Sequence, residues 1–280
     1  MGDQLAFFGP DGREPEPATD EVRTLRVVIT VKAAPNPSER YGETVCVAGI
    51  SAELERPGWI RLYPINFRNL EGDIRFRKYD IVTVDAVRAR ADVRHESWNP
   101  RMSTLHVERS LKPWVPRKGY ITPYISSSMC AINTAGHGTG IAPSLGLVRA
   151  RTVDGLDIEP HPGWSSDEQA KIDRYVNQID LFGDADRTPL DAPRLRGWYR
   201  WHCDDNGCRG HRQGILDWEF VAFQRLRAHR DLSNDELAAR LRGKFLDEVC
   251  GPGKDVAFYV GNQAKRHQVF SVLGIWWPPR

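Results

Sequence analysis

From residue 25 the chain runs in short β-branched stretches separated by turn signals. Leu25-Arg26-Val27-Val28-Ile29-Thr30-Val31-Lys32 predicts a first strand, closed by Pro35 and Pro37. Thr44–Ile50 predicts a second and Trp59–Ile65 a third, the latter entered through a turn at Arg56-Pro57-Gly58. Tyr79–Val87 alternates polar and apolar residues and predicts a fourth, and Thr104–Glu108 reads as a fifth strand or a short helix. No long amphipathic helix interrupts these runs, so the pattern predicts a small β-barrel over roughly 23–120.

The pattern then loosens. Ser126–Ile132 can open a short helix, 136–140 is a glycine-rich turn, and 145–151 and 156–160 read as two strands. A helix is expected from Ser166 to Leu181. In the last third, Trp198–Cys203 predicts a strand and Ile215–His229 a helix with Ile215, Trp218, Ala222 and Leu226 on one face. Ser233 and Glu236 form the capping-box pair of another helix, running to about Val249. Val256–Val260 and Val269–Trp277 predict a closing hairpin, with Trp276 and Trp277 capping the core. The expected class is α+β: an acidic lead-in over 1–22, a β-rich barrel-like domain over 23–160, a connector over 161–193, and an α+β layer unit over 194–280.

Charge changes the picture locally. The chain of 280 residues carries a net +2, but residues 1–22 hold six acids and one base. Residues 61–120 hold thirteen Lys or Arg against seven Asp or Glu, and 187–280 sixteen against eleven. Such excess suits a polyanionic partner, DNA or RNA, and equally an arginine-rich solvated surface. No apolar stretch approaches a membrane span and no signal peptide is visible. Five cysteines, an odd number, do not form a secreted disulfide framework. A cytoplasmic protein without a membrane partner is expected; the oligomeric state is not legible.

The densest chemistry is Cys203-Asp204-Asp205-Asn206-Gly207-Cys208-Arg209-Gly210-His211. Its C-x4-C-x2-H spacing can place three ligands on one zinc ion, with Asn206-Gly207 supplying the turn. His202 would point to the opposite face of its strand. The fourth ligand is then His267, an acid or water. Two reduced cysteines without metal, or a reversible disulfide, fit the same residues. Asp217 and Glu219 diverge if both lie on one helix. They read as helix-terminus acids, or as partners of His211 or Lys265 in a metal-dependent nuclease. Trp59, Arg61 and Tyr63 share one strand face. With Arg68, Arg75, Arg77 and Lys78 they form an aromatic and basic set that can stack bases and hold phosphates, or can equally be core rings with arginines at the rim.

Glu43–Ile50 followed by Trp59–Ile65, together with Cys203…Cys208-Arg209-Gly210-His211…Asp217-Trp218-Glu219 and Phe258–Asn262, resembles uncharacterised bacterial and prophage proteins. The resemblance implies an OB-like or PUA-like N-terminal barrel. It also implies a nucleic-acid-related role in phage defence or mobile-element biology, and it names no reaction. The expected function is nucleic-acid binding with a structural Cys/Cys/His metal site. The alternatives are a metal-dependent nuclease or base-processing enzyme centred on His211, Asp217 and Glu219, and a protein-interaction module using the aromatic tail.

Overall fold

The structure, a computed structural model, describes residues 20–39, 42–53, 57–66, 75–90, 92, 94–112, 114–126, 128–137, 143–177, 188–263 and 266–280. Arg68, Lys265 and most of the glycine-rich turn at 136–140 lie outside these.

The first half is a barrel. Its strands are β1 (Arg23–Lys32), β2 (Asn36–Ser38), β3 (Gly42–Ser51), β4 (Trp59–Ile65), β5 (Asp80–Arg88), β6 (Ser97–Pro100) and β7 (His106–Ser110). They pair in the order β1-β3-β4-β6-β5-β7, and a further β1–β5 pairing closes five of them into a ring. The short parallel strand β6, without an alternating pattern of its own, completes the closure between β4 and β5. Period-two side chains fill the ring: Val27 and Ile29, Val45 and Val47, Ile60 and Leu62, Val82 and Val84 are all buried in one cluster.

The second half is a curved sheet with helices. It contains α1 (Trp114–Ile121), β8 (Ile125–Ser126), α2 (Met129–His137), β9 (Leu145–Pro160), α3 (Ser166–Val176), β10 (Leu195–Cys203), β11 (His211–Gly214), α4 (Trp218–Gln224), α5 (Asn234–Arg242), β12 (Ala257–Gln263) and β13 (Arg266–Trp276). The sheet order is β11-β10-β9-β12-β13. The two strands expected at 145–151 and 156–160 are one sixteen-residue strand, β9, which pairs with β12 over 145–149 and with β10 over 150–160. That pairing moves the unit boundary. Residues 145–160 belong to the second sheet, so the barrel domain ends before β8 and not at 160.

The α+β class and the barrel are as expected, with differences in the helices. In place of one helix over 215–229, β11 pairs with β10 and α4 starts at Trp218, capped by the Asp217 side chain, which accepts from the Glu219 N–H at 3.0 Å. The loop between them is held as strand: Leu216 N–H donates to Val272 O at 2.8 Å and Ala34 N–H to Leu216 O at 2.7 Å. The inward face of α4 is Phe220, Val221 and Gln224, while Leu226 is exposed. α5 begins at the expected Ser233–Glu236 capping box and continues as a π-helical segment, Gly243–Glu248.

The halves meet at a shared apolar seam. Val28, Ile50, Trp59, Tyr79 and Ile81 of the barrel pack with Leu147, Tyr259, Leu273 and Trp276 of the second sheet. Trp276 is buried there, and Trp277 packs edge-on against Trp114 with ring centroids 5.3 Å apart. Trp276 is therefore core, as expected of a cap, while Trp277 is half-buried. No helix among the described residues is long and apolar enough to cross a membrane.

Candidate metal centre

β10 alternates strictly. Leu195, Gly197, Tyr199, Trp201 and Cys203 point inward, while Arg196, Trp198, Arg200 and His202 point outward. Cys203 thus ends the strand inside the core, and His202 faces away, its Nδ1 2.8 Å from Asp154 Oδ2. The loop that follows is pinned by Asp205, whose carboxylate accepts from Gly207 N–H at 2.9 Å and from the Ser128 hydroxyl at 2.8 Å. Gly210 takes a φ of +95°, a left-handed conformation that glycine adopts at little cost. It turns the chain back into β11, so that His211 stands beside Trp201, ring centroids 4.9 Å apart.

The fourth member comes from elsewhere. Ser128 caps the start of α2, its hydroxyl accepting from Ala131 N–H at 2.9 Å, and this presents Cys130 to the loop. Cys130 Sγ lies 3.8 Å from Cys203 Sγ and 3.8 Å from His211 Nε2. His211 Nε2 is 3.4 Å from Cys203 Sγ and 3.3 Å from Cys208 Sγ. All four ligand atoms fall within 4.8 Å of one another. The expected triad Cys203, Cys208 and His211 is present, and Cys130 is the fourth member in place of His267, an acid or water. His267 is exposed on the β12–β13 hairpin. One Ser128 hydroxyl thus links the cap of α2 to the Asp205 loop, tying together the two segments that carry the sulfurs.

The electrostatics of the cluster favour a cation. Burial, then the neighbouring Cys203, pushes the Cys130 thiol up to about 12. Burial also acts to raise Cys203, but backbone N–H groups of Asp205, Cys130 and Met129 outweigh it and hold that thiol below its usual value. Burial, then His202, pushes His211 down, toward the neutral imidazole that ligates metals. Three sulfurs this close cannot all be thiolates unless positive charge sits among them. The arrangement can hold a metal ion in a closed, protein-only shell.

The remaining site candidates separate. His211 opens β11 and contacts the sulfurs, whereas Asp217 lies beyond the end of that strand at the seam, bridged to Ala33 of the barrel. A nuclease centre combining His211 with Asp217 and Glu219 is not assembled. Asp217 is buried, and burial raises its carboxyl to about 7 against the opposing pull of Lys78. Burial works to lower the Lys78 ammonium, which is largely covered, but the charges of Glu219, Tyr79 and Asp217 outweigh it and hold it above its usual value. Its Nζ is 3.7 Å from Glu219 Oε2 and donates to Ile275 O at 3.3 Å.

Trp59 and Arg61 are not a stacking face. Trp59 lies edge-on to Tyr124 and Tyr259 in the seam. Arg61 is 3 % exposed, its Nη2 donating to Ser144 Oγ at 2.9 Å and lying 3.5 Å from Glu96, its Nη1 3.2 Å from Cys46 Sγ. The second sheet covers the outer face of β4, leaving Tyr63 exposed at its end. Arg75 and Arg77 are exposed, and Lys78 is turned into the seam. Sequence reasoning missed Cys130, Glu96, Ser144 and Lys32. For Cys130 the sequence shows only a cysteine two residues after Ser128, a serine able to cap a helix, which places it in the first turn but does not point to the distant loop.

A basic groove of 480 Å³ flanks the Cys203–His211 loop. It is lined by Lys118, Arg149, Arg151 and Arg280 with Asp204 and Asp255, and Arg149 pairs with Asp255.

Two family models match the chain. One, described as Domain of unknown function (DUF8757), matches residues 125–280. The other, described as Domain of unknown function (DUF8758), matches residues 23–123. The division falls where the sheets divide. No curated protein matches the chain.

Proposed function

For this chain, which belongs to the family described as Domain of unknown function (DUF8757), we propose a nucleic-acid-binding protein whose second half is stapled by a structural zinc ion. The observation that carries the zinc is the spacing of Cys130, Cys203, Cys208 and His211. Zinc–sulfur bonds of about 2.3 Å and zinc–nitrogen bonds of about 2.0 Å make a tetrahedron with edges of roughly 3.5–3.8 Å. Four of the six separations, at 3.3–3.8 Å, lie close to those edges, and all four ligand atoms stay within 4.8 Å of one another. Three thiolates and one imidazole complete a tetrahedral shell, as structural zinc sites do, and leave no position for substrate. The metal joins α2 to the β10–β11 loop, two segments otherwise linked at this point by short polar contacts.

The groove beside that loop supports the partner. Four cations against two acids leave it positive, and Lys118, Arg151 and Arg280 are exposed along it. A phosphate backbone laid there would release counterions, which makes binding salt-dependent. Fluorescence anisotropy with labelled single- and double-stranded DNA and RNA tests this at several salt concentrations. The expected result is binding that weakens with salt, and that loses about two from its salt slope in a Lys118→Ala, Arg151→Ala double variant. Absence of binding below about 10 µM at about 50 mM salt, weaker than ordinary non-specific association, would contradict it. Within this proposal the protein is cytoplasmic, and phage defence or mobile-element biology is the setting that the resemblance implies.

A further inference from the structure

A second site stands apart from the metal. A cavity of 480 Å³ opens at the seam between the halves. Lys32 at the end of β1 and Asp217 and Glu219 at the start of α4 give it a charged side. Phe223, Phe245 and Trp277 give it aromatic walls. Lys244 sits on its lining as well, and Leu226, 48 % exposed, is part of the same wall. Phe245 and Lys244 belong to the π-helical segment, an irregularity often found at functional sites. An apolar-walled cavity with a few convergent polar groups is the ordinary form of a small-molecule site, and the volume falls in the usual range.

We propose that this cavity binds one nucleobase carrying an exocyclic amino group, with its ribose and phosphate toward Lys244. The rings stack a flat heterocycle, and the carboxylates of Asp217 and Glu219 accept from its amino edge. The inference deepens the nucleic-acid reading and rests on it for the source of the base, since a base drawn out of a strand needs a pocket of this kind. Alternatives fit less well. A divalent cation would meet Lys32 and Lys78 on the same side as the acids, and Asp217 already spends one oxygen on the Glu219 N–H. A purely apolar ligand would leave Asp217 buried against it. The Asp217 carboxyl is raised by burial to about 7, while Lys78 and Lys32 beside it favour the ionised form that accepts.

The test uses free nucleoside 5′-monophosphates with the full chain, read by saturation-transfer NMR and by tryptophan fluorescence. CMP, AMP and GMP are expected to bind, with CMP at least about tenfold tighter than UMP, whose carbonyl replaces the amino group. Asp217→Asn keeps a helix-capping residue while exchanging an acceptor for a group that also donates, so it should erase or invert the preference for CMP over UMP. Lys244→Ala should weaken all four nucleotides together. Binding of none below about 1 mM, or equal binding of CMP and UMP by the parent chain, would overturn the inference. If nucleotides bind as expected but no DNA or RNA is retained, the pocket stands and the nucleic-acid reading falls. If nucleic acid binds and no nucleotide does, the reverse holds.

Discussion

Arg61 shows how a residue's meaning depends on what covers it. On sequence spacing it shares a face with Trp59 and Tyr63, and the alternation is real. The second sheet lies over that face, so the guanidinium becomes a buried strut between Glu96, Ser144 and Cys46. Removing one member of such a pair strands the other: Arg61→Ala should cost about 3–5 kcal/mol in urea unfolding. A cost under about 1 kcal/mol would place the pair at a wet surface. Asp217 makes the converse case. Burial raises its folded pKa to about 7, above the unfolded carboxylate value, so the folded state holds the extra proton. Stability contributed by that proton is complete below the unfolded pKa and declines as pH rises toward about 7. Denaturation between about pH 4.5 and pH 7.5 should show this decline, and Asp217→Asn should flatten it. An unchanged slope in the variant would remove Asp217 as its source.

Elements were legible where local chemistry decides them. The strands of the barrel announced themselves by β-branched runs, and α5 by the Ser233–Glu236 box, whose hydroxyl and carboxylate each satisfy a backbone N–H. Ser233→Ala should lower the melting stability by about 1 kcal/mol while Ser233→Asp leaves it nearly unchanged. Equal losses in both would mean the cap contributes nothing. Elements decided by tertiary pairing were not legible. β6 has four residues and no pattern of its own; it exists because β4 and β5 need a strand between them. The helix expected over 215–229 shrank to α4 because residues 215 and 216 hydrogen-bond to β10 and β13 before Asp217 caps the first turn. β9 read as two strands since Thr152, Asp154 and Gly155 interrupt its apolar pattern, although the stretch pairs with β10 throughout.

At the scale of the whole molecule, two units share one seam, which carries one candidate site, while the Cys/His cluster joins α2 to the β10–β11 loop. Three of the four members of the Cys/His cluster could be read from one loop, because their spacing is local. Cys130 could not be assigned, since nothing in the intervening 72 residues tells that α2 returns to the end of β10. The proposed zinc site depends on that long-range closure. Elemental analysis of the purified full chain and of Cys130→Ser tests it most directly. One equivalent of zinc in the parent chain, lost or sharply reduced in Cys130→Ser with a lowered melting temperature, is the predicted result. A parent chain without metal, or a variant that retains the same zinc content, would contradict a site closed by Cys130.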